Sequence, residues 1–195
     1  MPSGFAAMLF RMNYINRWGL MRNTRAESLS EHSLTVAVVA HLIAAVGRER
    51  FNADVRPELV ALCAVYHDAS EILTGDMPTP VKYGSERLRE EYKKTEARAC
   101  EQLAQMLPCE LRAQVGPVLD GSVLNERERR ILKAADKISA LLKCVEEEQN
   151  GNTEFRSAKA STMQILLQDP LPETEYFLQE FLPGYEKTLD ELMKG

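Results

Sequence analysis

This sequence predicts an all-α fold, and three observations support that. Apolar residues recur at the helical period in nearly every segment, and none alternates over the length of a strand. The 195 residues are 45% hydrophobic and 27% charged, the balance of one domain large enough to close a single core. No internal repeat and no long linker divides the chain.

The elements follow in order. Phe5, Met8, Leu9, Met12 and Ile15 define a first helix that stops around Trp18-Gly19. The polar stretch MRNTRAESLS is a loop in which Ser28 and Glu31 fit a capping box. The second helix opened by that box runs through the apolar stretch Thr35 to Val46 and closes at Gly47. Pro57 suits the first turn of a third helix, which carries LVALCAVYHDASEIL and ends at Thr74-Gly75. GDMPTPVKYG reads as an irregular loop, because Pro78 and Pro80 disfavour helix at and before themselves. From Ser85 to Leu107 a charged helix keeps Leu88, Tyr92, Ala99, Leu103 and Met106 in register until Pro108 ends it. Asn125 can cap another long helix whose buried stripe is Ile131, Leu132, Ala135, Ile138, Leu142 and Val145. Two or three shorter helices, punctuated by Pro170, Pro172, Pro183 and Gly184, complete the chain.

Composition excludes several classes. A net charge of −5 argues against a general nucleic-acid binder. The run Thr35 to Val46 is shorter than a bilayer requires and contains His41, so no transmembrane span is expected. MPSGFAAMLFRM lacks a basic leading region and is interrupted by Arg11, so it does not read as a signal peptide. Cys63, Cys100, Cys109 and Cys144 form no CxxC pair and match no zinc-finger spacing, which predicts a reduced, cytoplasmic protein. The chain contains no GxSxG elbow, GxxxxGK[ST] loop or GxGxxG turn.

Three histidines remain to be weighed. His32 sits in the first turn of the second helix beside Glu31, and His67 is followed at once by Asp68. His41 lies nine residues after His32, close to the opposite side of the same helix at about 100° per residue, and reads as a core or surface histidine. His67 and Glu71, at i and i+4, share a helix face, from which Asp68 points about 100° away; an ion in the wedge between His67 and Asp68 would still meet both. Asp136 interrupts KAADKISALL, and a carboxylate beside a buried stripe is costly unless paired, hydrogen-bonded or bound to metal. Two readings stand. His32, His67, Asp68 and Asp136 meet from three helices as a mixed nitrogen and oxygen site suited to Mn, Co, Fe, Ni or Zn. Alternatively, Asp136 pairs with Lys133 or Lys137 on a solvated edge and His32 bonds at its helix N-terminus.

The ordered pattern His32, His67-Asp68, Asp136 resembles the HD-domain metal phosphohydrolases. The segments INRWGLMRN, SEHSL, YHDASEILTGDMPTPVKY and LKCVEE are similar to those of the bacterial HD-domain 5′-deoxynucleotidases of the YfbR group, from about Ile15 to Lys143. That resemblance implies a single-domain HD-type helical bundle over residues 1–195. It also implies hydrolysis of deoxyribonucleoside 5′-monophosphates, with discrimination against ribonucleotides, by a homodimer using a divalent transition metal, cobalt or manganese. Polymeric nucleic acid and membranes are not expected partners. The family's metal ligands fall on His32, His67, Asp68 and Asp136, and its acid/base carboxylate on Glu71. Its substrate contacts fall on Arg17, Trp18, His32, Asp76 and the loop Thr79-Pro80-Val81-Lys82. Arg17 and Asp76 also enter the catalytic set, Asp76 either assisting the leaving oxygen or contacting the nucleotide. The ion would lower the pKa of a bound water to supply the nucleophile. The Trp18 indole would leave no room for a ribose 2′-hydroxyl. Two rivals stay open: an HD enzyme for triphosphates, cyclic nucleotides or guanosine polyphosphates, and a helical interaction protein whose His and Asp residues satisfy a buried network.

Overall fold

Both long apolar helices begin where their caps were expected. Ser28 Oγ accepts from the Glu31 N–H while the Glu31 carboxylate accepts from the Ser28 N–H at 2.8 Å, so the capping box forms. Asn125 and Glu128 make the same reciprocal pair. In the computed structural model, residues 2–82 and 84–194 are described, the Thr79 side chain excepted. The helices are α1 (Phe5–Leu9), α2 (Leu29–Phe51), α3 (Pro57–Tyr66), α4 (Glu71–Thr74), α5 (Thr79–Lys82), α6 (Glu86–Gln105), α7 (Cys109–Leu119), α8 (Glu126–Gln149), α9 (Arg156–Gln168), α10 (Pro172–Glu180) and α11 (Leu189–Leu192). Sheet pairing among the described residues is confined to an isolated antiparallel bridge, Asn16 with Ser28.

The residues group into two compact units. One holds Met1–Arg22, Ala26–Leu34 and Leu62–Val123; the other holds Asn23–Arg25, Thr35–Ala61 and Leu124–Gly195. In the first, Phe5, Ala69, Leu103, Leu107 and Leu119 form a buried cluster against which Met8, Tyr66, Ile72 and Cys100 pack. This seats α4 on α6. The second is braced by buried carboxylates. Glu128 accepts from the Arg56 backbone N–H and its Nε at 2.9 and 2.8 Å, and Glu173 takes Arg127 in a two-point pair at 2.9 and 2.8 Å. Glu147 accepts from Thr24 N–H and Oγ1, Lys143 Nζ and Asn152 Nδ2.

Several expectations are corrected. The first helix is short: α1 tightens into a 3₁₀ segment, Phe10–Tyr14, and ends before Trp18. Gly47 does not end α2, which continues to Phe51. A Cβ there would stand 3.3 Å from Glu173 Oε1, so this glycine gives clearance to the buried Glu173 carboxylate, and left-handed Asn52 (φ 49°) follows the helix end instead. The GDMPTPVKYG loop contains the one-turn helix α5, with Pro80 in its first turn, where its missing N–H costs nothing. Helix α7 follows directly on Pro108 and tolerates Pro117 within it; its apolar positions were not recognised as helical. By length and mean hydropathy, 1.5, α2 does meet the requirement for a membrane-crossing helix, contrary to the reading of its apolar run. Half of that stretch is buried, and Val36, Val39, Ala40, Ile43 and Ala44 have no exposed surface, so its apolarity serves a core.

Candidate active site

The chemistry gathers where α3 was expected to run on. The helix stops at Tyr66, and residues 67–70 form a turn before α4 begins at Glu71. His67 Nδ1 lies 2.7 Å from the Ala64 carbonyl oxygen, an acceptor that an uninterrupted helix would give to a backbone N–H. The following amides bond three residues back instead of four: Ala69 to Tyr66, Glu71 to Asp68 and Ile72 to Ala69. That tightening removes the 100° divergence expected between His67 and Asp68. Since a carbonyl only accepts, His67 Nδ1 carries a proton there, and Nε2 is the nitrogen directed at the cluster.

His67 Nε2 lies 3.1 Å and His32 Nε2 3.4 Å from Asp68 Oδ2, and the imidazole centroids are 5.3 Å apart. All three ligand atoms fall within 4.8 Å of one another. Donors at about 2.0–2.2 Å around one transition ion stand roughly 3.0–3.5 Å from each other; both imidazole-to-carboxylate distances fall in that range, and the donor chemistry suits a divalent metal. Burial raises the Asp68 pKa, but the charge of His67 and hydrogen bonding from both imidazoles outweigh it and hold this carboxyl well below the usual range.

Arg17 and Trp18 join the same unit through Glu27. Arg17 Nη1 donates to Asp68 Oδ2 at 3.4 Å, and its Nε stands 3.5 Å from Glu27 Oε2. The Trp18 indole N–H donates to that same Oε2 at 2.8 Å. Glu27 Oε1 faces His32 Nδ1 at 3.8 Å. Trp18 itself takes the left-handed backbone conformation, φ 60°, a strain of about 1–2 kcal/mol for a residue with a Cβ. Gly19 follows inside the turn that the Met21 N–H closes on the Trp18 carbonyl at 2.9 Å. Glu27 was missed by sequence reasoning; an acidic residue directly before the capping serine was the available signal.

Glu71 opens α4 and is 6% exposed. Burial first, then the charges of Asp68 and Asp76, raise its pKa to about 9, against the opposing charges of Arg17 and Lys82. Its Oε2 is buried with no hydrogen-bond partner among the described residues. Asp76 is half-buried and follows Gly75, whose φ of 73° turns the chain out of α4. Tyr92 on α6 anchors this turn, its hydroxyl 3.2 Å from Thr74 Oγ1 and donating to the Gly75 carbonyl at 3.3 Å. Lys82 bonds Glu96 at 2.9 Å and lies 4.6 Å over the Tyr92 ring. Pro80 and Val81 are exposed, and the Thr79 side chain lies outside the described residues. His41 is exposed on α2, as a non-ligand should be. Asp136 belongs to the second unit, on α8, where Lys137 Nζ stands 3.3 Å from its Oδ2; the ion-pair alternative is therefore present.

The comparisons agree with this chemistry. Residues 4–185 match the family model for YfbR-like 5′-deoxynucleotidases. The chain is 50% identical to a 5′-deoxynucleotidase of Erwinia tasmaniensis over 97% of this chain and 96% of that one, and 48% identical to one of Photorhabdus temperata over the same shares. Among solved structures, an HD-domain phosphohydrolase from Listeria innocua superposes with a TM-score of 0.79 at 26% identity, covering 97% of this chain and 91% of its own. The HD phosphohydrolase of cyanophage S-2L, bound to dA and one catalytic zinc ion, shares the fold at a TM-score of 0.65 and 21% identity, covering 93% of this chain and 96% of its own. With its all-α HD fold and its His-His-Asp cluster, the chain belongs to the YfbR-like 5′-deoxynucleotidase family.

Proposed function

We propose that this protein hydrolyses deoxyribonucleoside 5′-monophosphates to deoxynucleoside and phosphate, using one divalent transition metal per chain. The observation that carries this is the convergence of two imidazole nitrogens and one carboxylate oxygen within 4.8 Å, beside the raised carboxyl of Glu71. His32, His67 and Asp68 would hold the ion, with Asp136 as fourth ligand on the strength of the family pattern. When bound, the ion supplies Lewis acidity that lowers the pKa of water and screens phosphate charge.

The chain's own residues do the rest. Arg17 presents a guanidinium, and Lys82 an ammonium whose charge Glu96 sustains against burial, so both can bind a phosphate dianion. Glu71 holds a proton at neutral pH and delivers it as the P–O bond to the 5′ oxygen breaks. Asp76 maintains the negative field that keeps Glu71 protonated. Thr79, Pro80 and Val81 complete the nucleotide loop. Trp18, tied to Glu27, walls the sugar so that a 2′-hydroxyl is excluded. The whole chain acts as one HD domain, in a cytoplasmic homodimer with cobalt or manganese; its four cysteine thiols suit a reducing compartment.

The test is phosphate release from a panel of deoxynucleoside and ribonucleoside 5′-monophosphates, 3′-monophosphates and triphosphates, before and after chelation, with metal analysis of Asp136→Ala. Deoxynucleoside 5′-monophosphates should turn over, stop on chelation and recover with Mn or Co. Turnover in chelator, or preferential use of triphosphates, overturns the reading. An Asp136→Ala protein that keeps both ion and full rate removes Asp136 from the site.

A further inference from the structure

Glu27 is 7% exposed, and its carboxylate faces three side chains of the site at once. Its Oε2 accepts from the Trp18 indole N–H at 2.8 Å and stands 3.5 Å from Arg17 Nε, and its Oε1 faces His32 Nδ1 at 3.8 Å. The backbone repeats the connection, since the Arg17 N–H donates to the Glu27 carbonyl at 2.9 Å and Leu29 N–H to the Ile15 carbonyl at 2.9 Å. The loop carrying Glu27 and the segment carrying Arg17 and Trp18 are thus held side by side, directly ahead of the helix that carries His32. Glu27 shares no helix face or motif spacing with the metal ligands.

We infer that Glu27 is a positioning residue that couples the metal site to the substrate site: one carboxylate orients the His32 imidazole, the Arg17 guanidinium and the Trp18 indole. The inference rests on the proposed nucleotide chemistry only for what Arg17 and Trp18 bind. His32 Nε2 faces Asp68 at 3.4 Å, and Glu27 Oε1 stands 3.8 Å from the outer nitrogen, near enough for its charge to bias the orientation of the ring. Trp18 needs the same anchor for a different reason. Its left-handed backbone is strained, and the indole hydrogen bond is a contact that helps offset the strain.

Only a carboxylate can serve every partner. The indole N–H and the guanidinium face one oxygen, and the His32 ring faces the other at 3.8 Å, where the carboxylate charge acts through space. A glutamine accepts through one oxygen alone and carries no charge. Glu27→Gln keeps size and shape yet removes both the charge and one acceptor oxygen.

The experiment measures Mn²⁺ or Co²⁺ affinity without nucleotide, together with kcat and KM for dAMP, in wild type, Glu27→Gln, Glu27→Asp, Trp18→Phe and His32→Ala. Emission from Trp18, the only tryptophan in the chain, reports its surroundings directly. Glu27→Gln should weaken metal affinity by about 10–100-fold, raise KM for dAMP and shift the indole emission, with its thermal midpoint kept within a few degrees. Glu27→Asp, which retains two acceptor oxygens on a shorter stem, should recover part of both losses. Trp18→Phe should raise KM while leaving metal affinity unchanged, which separates the two arms of the carboxylate. If Glu27→Gln holds metal as tightly as wild type with KM unchanged, or if only its melting temperature falls, the coupling role is refuted. If His32→Ala also retains the ion, it is the metal-site reading that fails.

Discussion

Replacing Glu71 by glutamine preserves shape and neutrality but leaves no transferable proton. With a pKa of about 9, the carboxyl is protonated by roughly 100 to 1 at pH 7, whereas at its ordinary value of 4.5 it would be ionised by roughly 300 to 1. The surroundings therefore keep an acid loaded that water would have emptied. Burial is the largest single cause of that shift, and the charges of Asp68 and Asp76 add to it. General acid catalysis of this kind is worth about 10²–10⁴-fold, roughly 2.7–5.4 kcal/mol of barrier. The assay is kcat for dAMP from pH 6.5 to 9.5 at saturating metal, with metal content measured on each protein. Wild-type rate should fall as pH rises through about 9, and Glu71→Gln should lose at least about 10²-fold with its alkaline fall absent. The same shift links to stability. An unfolded chain ionises Glu71 near 4.5 and the folded one near 9, so this group's stabilisation is complete below 4.5 and is lost as pH rises through about 9. A metal-loaded Glu71→Gln enzyme working within threefold of wild type, or one that keeps the alkaline limb, refutes the assignment.

Sugar selection and the buried ion network give two more tests. Wild-type kcat/KM for dAMP should exceed that for AMP by more than about 10²-fold, the most a wall that merely tolerates a hydroxyl provides, and Trp18→Ala should narrow the ratio; equal values in the wild type would defeat steric exclusion. Glu147→Gln should cost about 3 kcal/mol in urea unfolding at pH 7, because it leaves the buried Lys143 ammonium only the longer 3.5 Å carboxylate contact with Glu146 in place of its 2.5 Å partner. Although Glu147 is desolvated, the Lys143, Thr24 and Asn152 hydrogen bonds bring its carboxyl down to about 2, so its contribution is complete above 4.5 and fades as pH falls toward 2. A flat stability between pH 5 and pH 2.5 would contradict that role.

Local rules carried much of this molecule. Apolar period made it all-helical, Ser28 with Glu31 and Asn125 with Glu128 set two helix starts, and Ile131, Ala135, Ile138 and Val145 lie buried along α8 as their spacing required. These features follow from residues within a turn or two of each other, whose preferences are written in adjacent positions. The residues His32, His67 and Asp68 could likewise be nominated by type and order, and the structure brings them together.

What needed tertiary structure involves partners distant in sequence or energies too small for spacing rules to weigh. The periodicity carries α3 onward to Thr74, because apolar residues continue in register; the His67 contact with Ala64 and the packing of Ala69 and Ile72 on the α6 side break it and turn two ligands toward one point. Gly47 reads as a helix stop until the glutamate 126 residues later occupies the space a Cβ would need. Glu27 has no motif to announce it, and its value arises only when the backbone bridge at Asn16 and Ser28 brings it beside Trp18. Local sequence sets which segments are helical and which side chains can bind or move protons. Burial and long-range pairing decide their protonation and direction, because desolvation and Coulomb energy depend on distance in space, not along the chain.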